Sequence, residues 1–592
     1  MRKRVLAVAP PLLALVLLSI VLFNGGLSQW LEDWTGETEL KQQLVAMYSE
    51  VSQRRIDTLD LTPIAHTGVN PYGVNVFLEQ EVEDWKLQRS MEMIRDSGAR
   101  WIRLHVPWAD LEGPGKGKYL NQRGEDSWVK YDRIVELARE YGINVLARLD
   151  DPPDWTRADN SVHNRPPDDF NDFGDFVAAF VGRYRGRVQY YQIWNEPNVY
   201  PEWGNQPADA ASYVRLLKIA YTRAKDADPE SVILAAPLAP TLGTPDGLNQ
   251  GDLAFLQEMY EIGARDYFDV MSVNAYGLWT GPGDRRVEEE RTNFSRPLLI
   301  REIMVRNGDA SKAVWATEMG WNALPPNFPG EATHGRVSLE RQAGYTAAAY
   351  RRAQDEWPWM GVIFYWHFRM VRDEPDQVVY YYRMAEPDFT PLPVYQAFRL
   401  LANEAPVLPY GYHQEDHRAL SYQGEWTGRQ DPRAVQGSYA EAAAPEASLT
   451  FTFRGSGLRL IVPGGAGRGR AYVSIDGSPP PTLPRDSQGR AYLDLAHLNP
   501  NWTSPASGRG ANYNQADSLD SGPLEPRWGA SVPLASRLPS GEHQVKIVAA
   551  SPGFSVDALV VERDEHDWGR LSAGVALLLA SLGVLVWAYR RQ

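Results

Sequence analysis

The chain has 592 residues, of which 43% are hydrophobic, and it carries 60 Lys and Arg against 75 Asp and Glu. The hydrophobic share excludes a protein that is disordered throughout. The net charge of −15 would repel phosphate backbones, so we expect no nucleic-acid partner. The chain has no cysteine, which excludes disulfides, thiol catalysis and Cys-liganded zinc.

Both ends of the chain carry an apolar run long enough to cross a bilayer. Three cationic residues precede the run at 5–23, and Arg590 and Arg591 follow the run at 571–589. Positive charges at the outer edge of both runs predict two transmembrane helices, at residues 1–24 and 568–592, whose outer ends lie in the cytoplasm. The body between them would then be held outside the cytoplasm at the cell membrane. A cleaved signal peptide is the alternative for the first run, and a buried core helix for the second.

Residues 25–66 form a juxtamembrane segment by this interpretation. Leu40, Leu44, Met47 and Val51 recur at helical spacing within a charged stretch. This pattern predicts a short amphipathic stalk helix followed by a linker.

Residues 67–405 alternate short apolar runs with amphipathic helical segments, which is the pattern of parallel strands joined by crossover helices. The predicted strands cover residues 73–78, 101–108, 143–150, 188–194, 232–238, 268–276, 314–318 and 361–367. Eight such repeats predict an α/β domain of the (β/α)8 TIM-barrel type, with functional residues at the carboxyl ends of the strands. An open doubly wound sheet is the alternative.

Residues 406–567 change in composition towards Gly, Pro, Ser and Ala, and the helical period disappears. The predicted strands cover residues 449–453, 458–462, 471–475, 543–548 and 558–561. They indicate an all-β sandwich. Trp426 and the strand at 448–453 give this region a fold-level resemblance to the galactose-binding-like domains of many carbohydrate enzymes. Sugar binding and a purely structural role are both compatible with it.

Two glutamates stand where predicted barrel strands end. Glu196 follows the fourth strand and Glu318 closes the seventh, so both should face the barrel mouth. Two carboxyl groups there suit glycosidic bond cleavage, because one protonates the leaving oxygen while the other meets the positive charge at the anomeric carbon. Structural caps at loop starts are the alternative for the pair.

The segments Trp-Asn-Glu-Pro-Asn at 194–198 and Thr-Glu-Met-Gly-Trp at 317–321 resemble the retaining glycoside hydrolases of the (β/α)8 clan that includes families 5 and 39. The resemblance covers about residues 68–405. It implies that Glu196 is the general acid/base and Glu318 the nucleophile. A retaining enzyme would hold the two carboxyl groups about 5–5.5 Å apart.

The same resemblance implies four substrate-binding residues. Arg103 would hold the nucleophile, Asn195 would contact the 2-hydroxyl of the sugar, Tyr276 would reach the nucleophile, and Trp366 would form the floor beneath the bonded sugar. The alternatives are an interior salt bridge for Arg103, a structural role for Asn195, and packing in the core for the two aromatic residues.

The chain also departs from the pattern of the clan. Asn274 stands where family 5 commonly has a histidine, and the third strand ends in Asp150 and Asp151, where a histidine is also frequent. These differences favour a divergent member, nearer to family 39 or to an unclassified branch, and leave the details of substrate positioning open.

Other residues near predicted strand ends allow weaker interpretations. Five tryptophans are candidate stacking platforms for further sugars, or else packing residues: Trp108, Trp155, Trp203, Trp279 and Trp321. Four histidines lack paired ligand spacing, so we expect no catalytic metal: His105, His163, His334 and His367.

Together these patterns predict a membrane-anchored retaining β-glycosidase or transglycosidase that acts on poly- or oligosaccharides and needs no cofactor. The alternative is a cell-surface sugar-binding or scaffolding protein that kept the barrel and lost turnover. Protein partners, the sugar and the linkage are not predicted.

Overall fold

The computed structural model describes residues 26–498 and 527–563. The apolar runs at 5–23 and 571–589 lie outside these ranges. Within the described ranges, no helix combines the length and the apolar character that a membrane crossing requires. Membrane anchoring therefore remains a prediction from the sequence.

A closed parallel barrel forms the first body of the protein. Its strands are β1 (Tyr72–Val76), β2 (Trp101–Pro107), β3 (Asn144–Asp150), β4 (Tyr190–Ile193), β5 (Val232–Ala235), β6 (Met271–Asn274), β7 (Val314–Met319) and β8 (Met360–Tyr365). They pair in the order β5-β4-β3-β2-β1-β8-β7-β6. Parallel bridges from Leu234 to Val270 and from Leu238 to Val273 close the ring between β5 and β6. The predicted (β/α)8 barrel is confirmed, and the open sheet is wrong.

Burial explains why these strands could be recognised. Every residue of β1 and of β4 to β8 is buried, because helices cover one face of the ring and the barrel interior covers the other. A strand that is buried on both faces is a continuous apolar run in the sequence. The predicted strands extend past several observed ends because the apolar character continues into the loops of the mouth.

Helices surround the barrel and precede it. They are α1 (Gly26–Thr35), α2 (Leu40–Ser52), α3 (Asp84–Asp96), α4 (Trp108–Glu112), α5 (Trp128–Glu140), α6 (Phe170–Tyr184), α7 (Ala210–Ala227), α8 (Asp252–Glu261), α9 (Pro297–Arg306), α10 (Leu339–Glu356) and α11 (Pro393–Ala402). In α6, Phe173, Phe176, Val177 and Phe180 give the apolar stripe that packs on the barrel. The side chain of Asp169 caps this helix by accepting the N–H of Asn171.

The predicted stalk helix forms as α2, but it packs against the barrel together with α1, which the sequence pattern did not predict. Tyr345 on α10 donates its hydroxyl to Glu32 on α1 at 2.6 Å. The Gln53 amide, just after α2, donates to the carbonyl of Arg285 at 3.0 Å. Of the periodic residues of α2, Met47 is buried against α1, whereas Leu40 and Leu44 stay exposed, so the pattern did not indicate which side of the helix is covered.

Antiparallel sheets form the second body. Their strands are β9 (Gly411–Gln414), β10 (Ser421–Gln423), β11 (Trp426–Gln430), β12 (Ser438–Ala442), β13 (Ser448–Arg454), β14 (Gly457–Gly464), β15 (Arg470–Ile475), β16 (Tyr492–Asp494), β17 (Arg527–Ala535), β18 (Glu542–Ala549), β19 (Ser555–Val556) and β20 (Ala558–Glu562). The two larger sheets have the orders β10-β13-β18-β15-β16 and β17-β14-β20-β9. They share an apolar core that includes Leu449, Leu460 and Ile547, as expected for a β-sandwich. All five predicted strands of this region are present.

Candidate active site

Glu196 and Glu318 both lie at the carboxyl end of the barrel. Glu318 belongs to β7 and is 6% exposed, and Glu196 is half-buried in the loop after β4. The backbone of Glu196 has φ of 42° and that of Trp194 has φ of 70°. This left-handed region is costly for residues other than glycine and is held only where the surroundings enforce it. Here the N–H of Glu196 donates to the carbonyl of Pro237 at 3.0 Å, which fixes the turn.

Glu318 is held by two donors, one on β2 and one in the segment just after β6. Arg103 on β2 donates from Nη1 to Oε1 at 2.9 Å, and the Tyr276 hydroxyl donates to Oε2 at 2.7 Å. A guanidinium on one oxygen and a phenol on the other fix the plane of the carboxylate and offset its charge. Two of the residues predicted by resemblance, Arg103 and Tyr276, therefore contact the predicted nucleophile.

Arg103 also organises the floor of the site. Its side chain is 2% exposed, and it donates to three amide oxygens besides Glu318. The acceptors, each at 2.8 Å, are Asn75 Oδ1, Gln192 Oε1 and Asn195 Oδ1. Burying a guanidinium is tolerated only when its donors find acceptors, and these three oxygens together with Glu318 accept from four of its five N–H groups. Asn195, predicted to contact the sugar, uses its oxygen for Arg103.

Glu196 has a different environment. Burial, followed by the negative charges of Glu318 and Glu202, raises its pKa to about 8, although a hydrogen bond from Asn274 opposes the shift. Asn274 Nδ2 lies 2.6 Å from Glu196 Oε1. Thr317 donates its hydroxyl to Asn274 Oδ1 at 3.1 Å, which orients the amide. Glu196 is therefore protonated at neutral pH, as a proton donor must be.

Trp366 follows β8 and is half-buried at the mouth. Its backbone N–H donates to the backbone carbonyl of Met319 at 2.8 Å, next to Glu318. Its ring packs edge-on against Phe77, with centroids 5.7 Å apart. Trp366 is thus placed beside the end of β7, which carries Glu318, and part of its surface is exposed.

Several polar residues of the site were not predicted as functional. Asn75 and Gln192 are 2% and 0% exposed in otherwise apolar strands. An amide inside a strand that is buried on both faces is the signal that could have identified them, since it needs a buried partner. Tyr382 packs against Tyr276 with centroids 5.7 Å apart. It is the last residue of a short 3-10 helix, Val378–Tyr382, in a segment without a recognisable sequence pattern.

The candidate stacking tryptophans divide into two groups. Trp108, Trp203 and Trp321 are at most 1% exposed and belong to the core, so the packing alternative is correct for them. Trp155 is half-buried and donates to the carbonyl of Glu112 at 2.7 Å. Trp279 is 67% exposed beyond β6. Of the five, Trp279 presents the largest free surface to a ligand.

His105, Asp150 and Asp151 meet at the ends of β2 and β3. Within residues 26–498 and 527–563, they form the one group of three His, Asp or Glu residues whose possible ligand atoms lie within 4.8 Å of one another, as binding of a cation would require. His105 Nε2 lies 2.7 Å from Asp150 Oδ1 and 3.2 Å from Asp151 Oδ2. Although burial opposes it, the charge of Asp150 raises the pKa of His105 to about 9, and Arg148 pairs with Asp150. A protonated His105 and Arg148 together balance the charges of Asp150 and Asp151. The sequence spacing missed the cluster because strand pairing brings it together.

A cleft of 1250 Å³ opens over the ends of β1, β2, β3 and β8. Its lining includes Phe77, His105, Asp151, His163 and Met370. Single ligand pockets commonly have volumes of about 300–1000 Å³. The cleft therefore has room for a ligand larger than a monosaccharide.

Comparison with known proteins gives distant matches. No family model matches the sequence, and no curated protein matches it. A family 39 glycoside hydrolase from Bacteroides cellulosilyticus WH2 is 20% identical, with 74% of this chain and 81% of that chain covered and a TM-score of 0.44. A monomeric β-xylosidase from Caulobacter crescentus CB15 is 15% identical, with 84% and 99% covered and a TM-score of 0.41.

A third solved structure, an exo-β-1,4-mannosidase from Opitutaceae bacterium strain TAV5, is 13% identical, with 59% and 62% covered and a TM-score of 0.39. These similar structures are glycoside hydrolases, and family 39 is among those expected from the two motifs. At such identities and TM-scores, the function of this chain has to be inferred from its own site residues.

Proposed function

We propose that the chain is a retaining O-glycoside hydrolase or transglycosidase that acts on poly- or oligosaccharides by double displacement. The observation that carries this proposal is the contrast between its two carboxyl groups. Glu318 is held by a guanidinium and a phenol, whereas burial and neighbouring negative charge keep Glu196 protonated. One group suits a nucleophile and the other a proton donor.

In the first step, Glu318 attacks the anomeric carbon while Glu196 gives its proton to the leaving glycosidic oxygen. The product is a glycosyl ester on Glu318. Ester formation removes the negative charge that helps to raise the pKa of Glu196, so this pKa falls and Glu196 becomes a base. It then takes a proton from water or from a sugar hydroxyl, which attacks the anomeric carbon and releases Glu318.

Arg103, Tyr276 and Asn195 support this cycle by position. Arg103 and Tyr276 stabilise the carboxylate before attack and after release, and Arg103 holds the side chain of Asn195 beside it. Trp366 offers a flat apolar surface that suits the C–H face of a pyranose. The cleft over β1 to β3 is lined by residues such as His105 and Asp151 and by neither glutamate, and we assign it to further sugar units of an oligosaccharide or polysaccharide. None of these steps uses a metal or a cofactor.

The test is a pair of variants assayed on aryl glycosides with good leaving groups. Glu318→Ala should abolish turnover. Glu196→Ala should keep formation of the glycosyl-enzyme but slow its hydrolysis, and azide should restore turnover by replacing the activated water. Retention predicts that a β-glycoside gives a β-azide, as measured by NMR. If a fluorinated, slowly released glycoside labels another residue, or none across a broad sugar panel, the assignment is wrong and a sugar-binding protein is favoured.

We also propose that the runs at 5–23 and 571–589 anchor the protein in the cell membrane, with both ends cytoplasmic. Their length, their apolar composition and the flanking Arg and Lys support this topology. The cysteine-free chain allows a direct test. A single cysteine placed before residue 5 or after residue 589 should react with an impermeant maleimide only after the cells are permeabilised. Labelling in intact cells would contradict the topology.

A further inference from the structure

The helices that precede the barrel expose an apolar surface. It consists of Trp30 on α1 and of Leu40, Leu44, Val45 and Tyr48 on α2, with exposed fractions of 41%, 57%, 38%, 49% and 66%. We call these five residues the hairpin patch. Single exposed apolar residues are normal, but five within 19 residues of chain, on two helices that pack together through Leu31, Trp34 and Met47, indicate an interaction site.

The spacing shows that the four patch residues on α2 lie on one side of that helix. Leu40, Leu44 and Tyr48 follow one another at intervals of four residues, so they line one face of the helix. The buried side of α2 is formed by Gln43, Ala46 and Met47, and Met47, which is 2% exposed, packs with Leu31 and Trp34 of α1. The inner face of α2 is thus satisfied within the protein, whereas the outer face is apolar and has no cover within the described residues.

The hairpin that α1 and α2 form follows the first apolar run almost directly. Residue 23 ends that run, and α1 begins at Gly26. An extended chain spans about 3.3–3.6 Å per residue, so Trp30 lies within about 25 Å of the end of the run. This short connection restricts the hairpin to the neighbourhood of the surface that the run enters.

The second apolar run leaves from the same region of the body. After α2, Gln53 contacts Arg285, and Arg285 pairs with Glu356 at the end of α10. The neighbouring Asp355 accepts a hydrogen bond at its carbonyl from Arg563 at 2.8 Å. Arg563 is the last described residue, eight positions before the run at 571–589. A continuous set of contacts therefore joins the end of the hairpin to the segment that leads into the second run.

We propose that the hairpin patch binds the lipid bilayer surface that the two apolar runs enter. Tryptophan and tyrosine favour the interface between head groups and acyl chains, and leucine and valine add apolar area. Lys41 lies within the exposed arc of α2, where it can pair with anionic head groups. A helix of this kind lies about 5–10 Å into the boundary between head groups and acyl chains. Such docking would fix the orientation of the barrel mouth relative to the membrane.

The absence of cysteine makes a site-specific test possible in the full chain. Tyr48→Cys would report on the patch, Val129→Cys on α5 would serve as an exposed aliphatic control, and Leu15→Cys would report on the first apolar run. Each variant is labelled with the environment-sensitive dye NBD and reconstituted into vesicles of phosphatidylcholine and phosphatidylglycerol. Quenching by lipids that carry a spin label near the head group is then measured.

The proposal predicts at least about twofold stronger quenching and a blue-shifted emission at position 48 relative to position 129. Leu44→Glu in the Tyr48→Cys background should reduce this quenching, because it places a charge in the patch. Quenching at position 15 together with a water-exposed label at position 48 would overturn the docking while leaving the anchor intact. Cross-linking of two chains through position 48 would also overturn it, since a second copy would then cover the patch. A water-exposed label at position 15 would remove its premise.

Discussion

Arg103 Nη1 lies 2.9 Å from Glu318 Oε1, and the two side chains are only 2% and 8% exposed. Each charge in an ion pair with so little access to water depends on the other, because removal of either one leaves its partner buried without compensation. Residues from β1, from β4 and from the loop after β4 complete the shell of Arg103 through their amide oxygens. The pair therefore links the proposed chemistry to the stability of the barrel.

Glu318→Gln should lose turnover and also stability. The glutamine cannot act as nucleophile. It also leaves the buried Arg103 without its counter-charge, and breaking such a buried pair costs about 3–5 kcal/mol of folding free energy. Urea unfolding followed by circular dichroism measures this loss. Arg183→Gln, which removes a partly exposed pair with Asp132 on the barrel exterior, is the control and should cost about 1 kcal/mol or less. Equal losses in the two variants would show that Arg103 does not depend on Glu318.

The pH profile should report Glu196. Its protonated form gives the proton to the leaving group, so kcat/KM should fall as the pH rises through about 8. Aryl glycosides with very good leaving groups need less protonation and should show a weaker alkaline decline. A decline near pH 5 for every leaving group would contradict the assignment.

Glu196→Gln should stabilise the protein at pH 8. The folded state keeps the proton on Glu196 up to a pKa of about 8, whereas the unfolded chain releases it near the ordinary value of 4.5. Between these values the unfolded state binds fewer protons, so stability falls as the pH rises, by about 1.4 kcal/mol per pH unit at most. Glutamine does not titrate, so the variant does not lose stability in this way as the pH rises. Its advantage in Tm should be largest at pH 8 and disappear near pH 4.5, and an advantage independent of pH would point to another cause.

Asn274→Ala should change the pH profile as well as the rate. Asn274 Nδ2 donates to Glu196 Oε1 and lowers its pKa, so loss of the amide should move the alkaline limb to higher pH. The rate should fall about tenfold or more because the acid is less well oriented. Thr317→Val removes the hydroxyl that orients Asn274 and should give a smaller shift in the same direction. An unchanged profile with a lower rate would indicate a merely structural role for Asn274.

His105 should contribute stability as a cation. Its pKa is raised to about 9, so its contribution is fully present below about 6.5 and is lost as the pH rises through about 9. His105→Gln should therefore lower Tm at pH 6 and have little effect on Tm at pH 10. Because the protonated His105 and Arg148 together balance Asp150 and Asp151, EDTA should leave both Tm and activity unchanged. A fall in either quantity that zinc or manganese restores would show that this cluster holds a metal.

The sequence by itself determined the barrel, the sandwich strands and the proposed catalytic pair. Strands buried on both faces had to be apolar throughout, so their number and order could be counted, and polar motifs at two strand ends identified Glu196 and Glu318. These features are local, since they depend on the residues of one element and its end.

Only the tertiary structure decided how these residues are supported. Asn75 and Gln192 contact Arg103, and Asn274 contacts Glu196, from three different strands, and His105 meets Asp150 through the pairing of β2 with β3. The hydrophobic periodicity of the sequence also could not predict that α1 and α2 pack on the barrel. A sequence pattern shows which face of an element is buried, but the partner on that face, and the pKa that it imposes, depend on contacts between residues far apart in the chain.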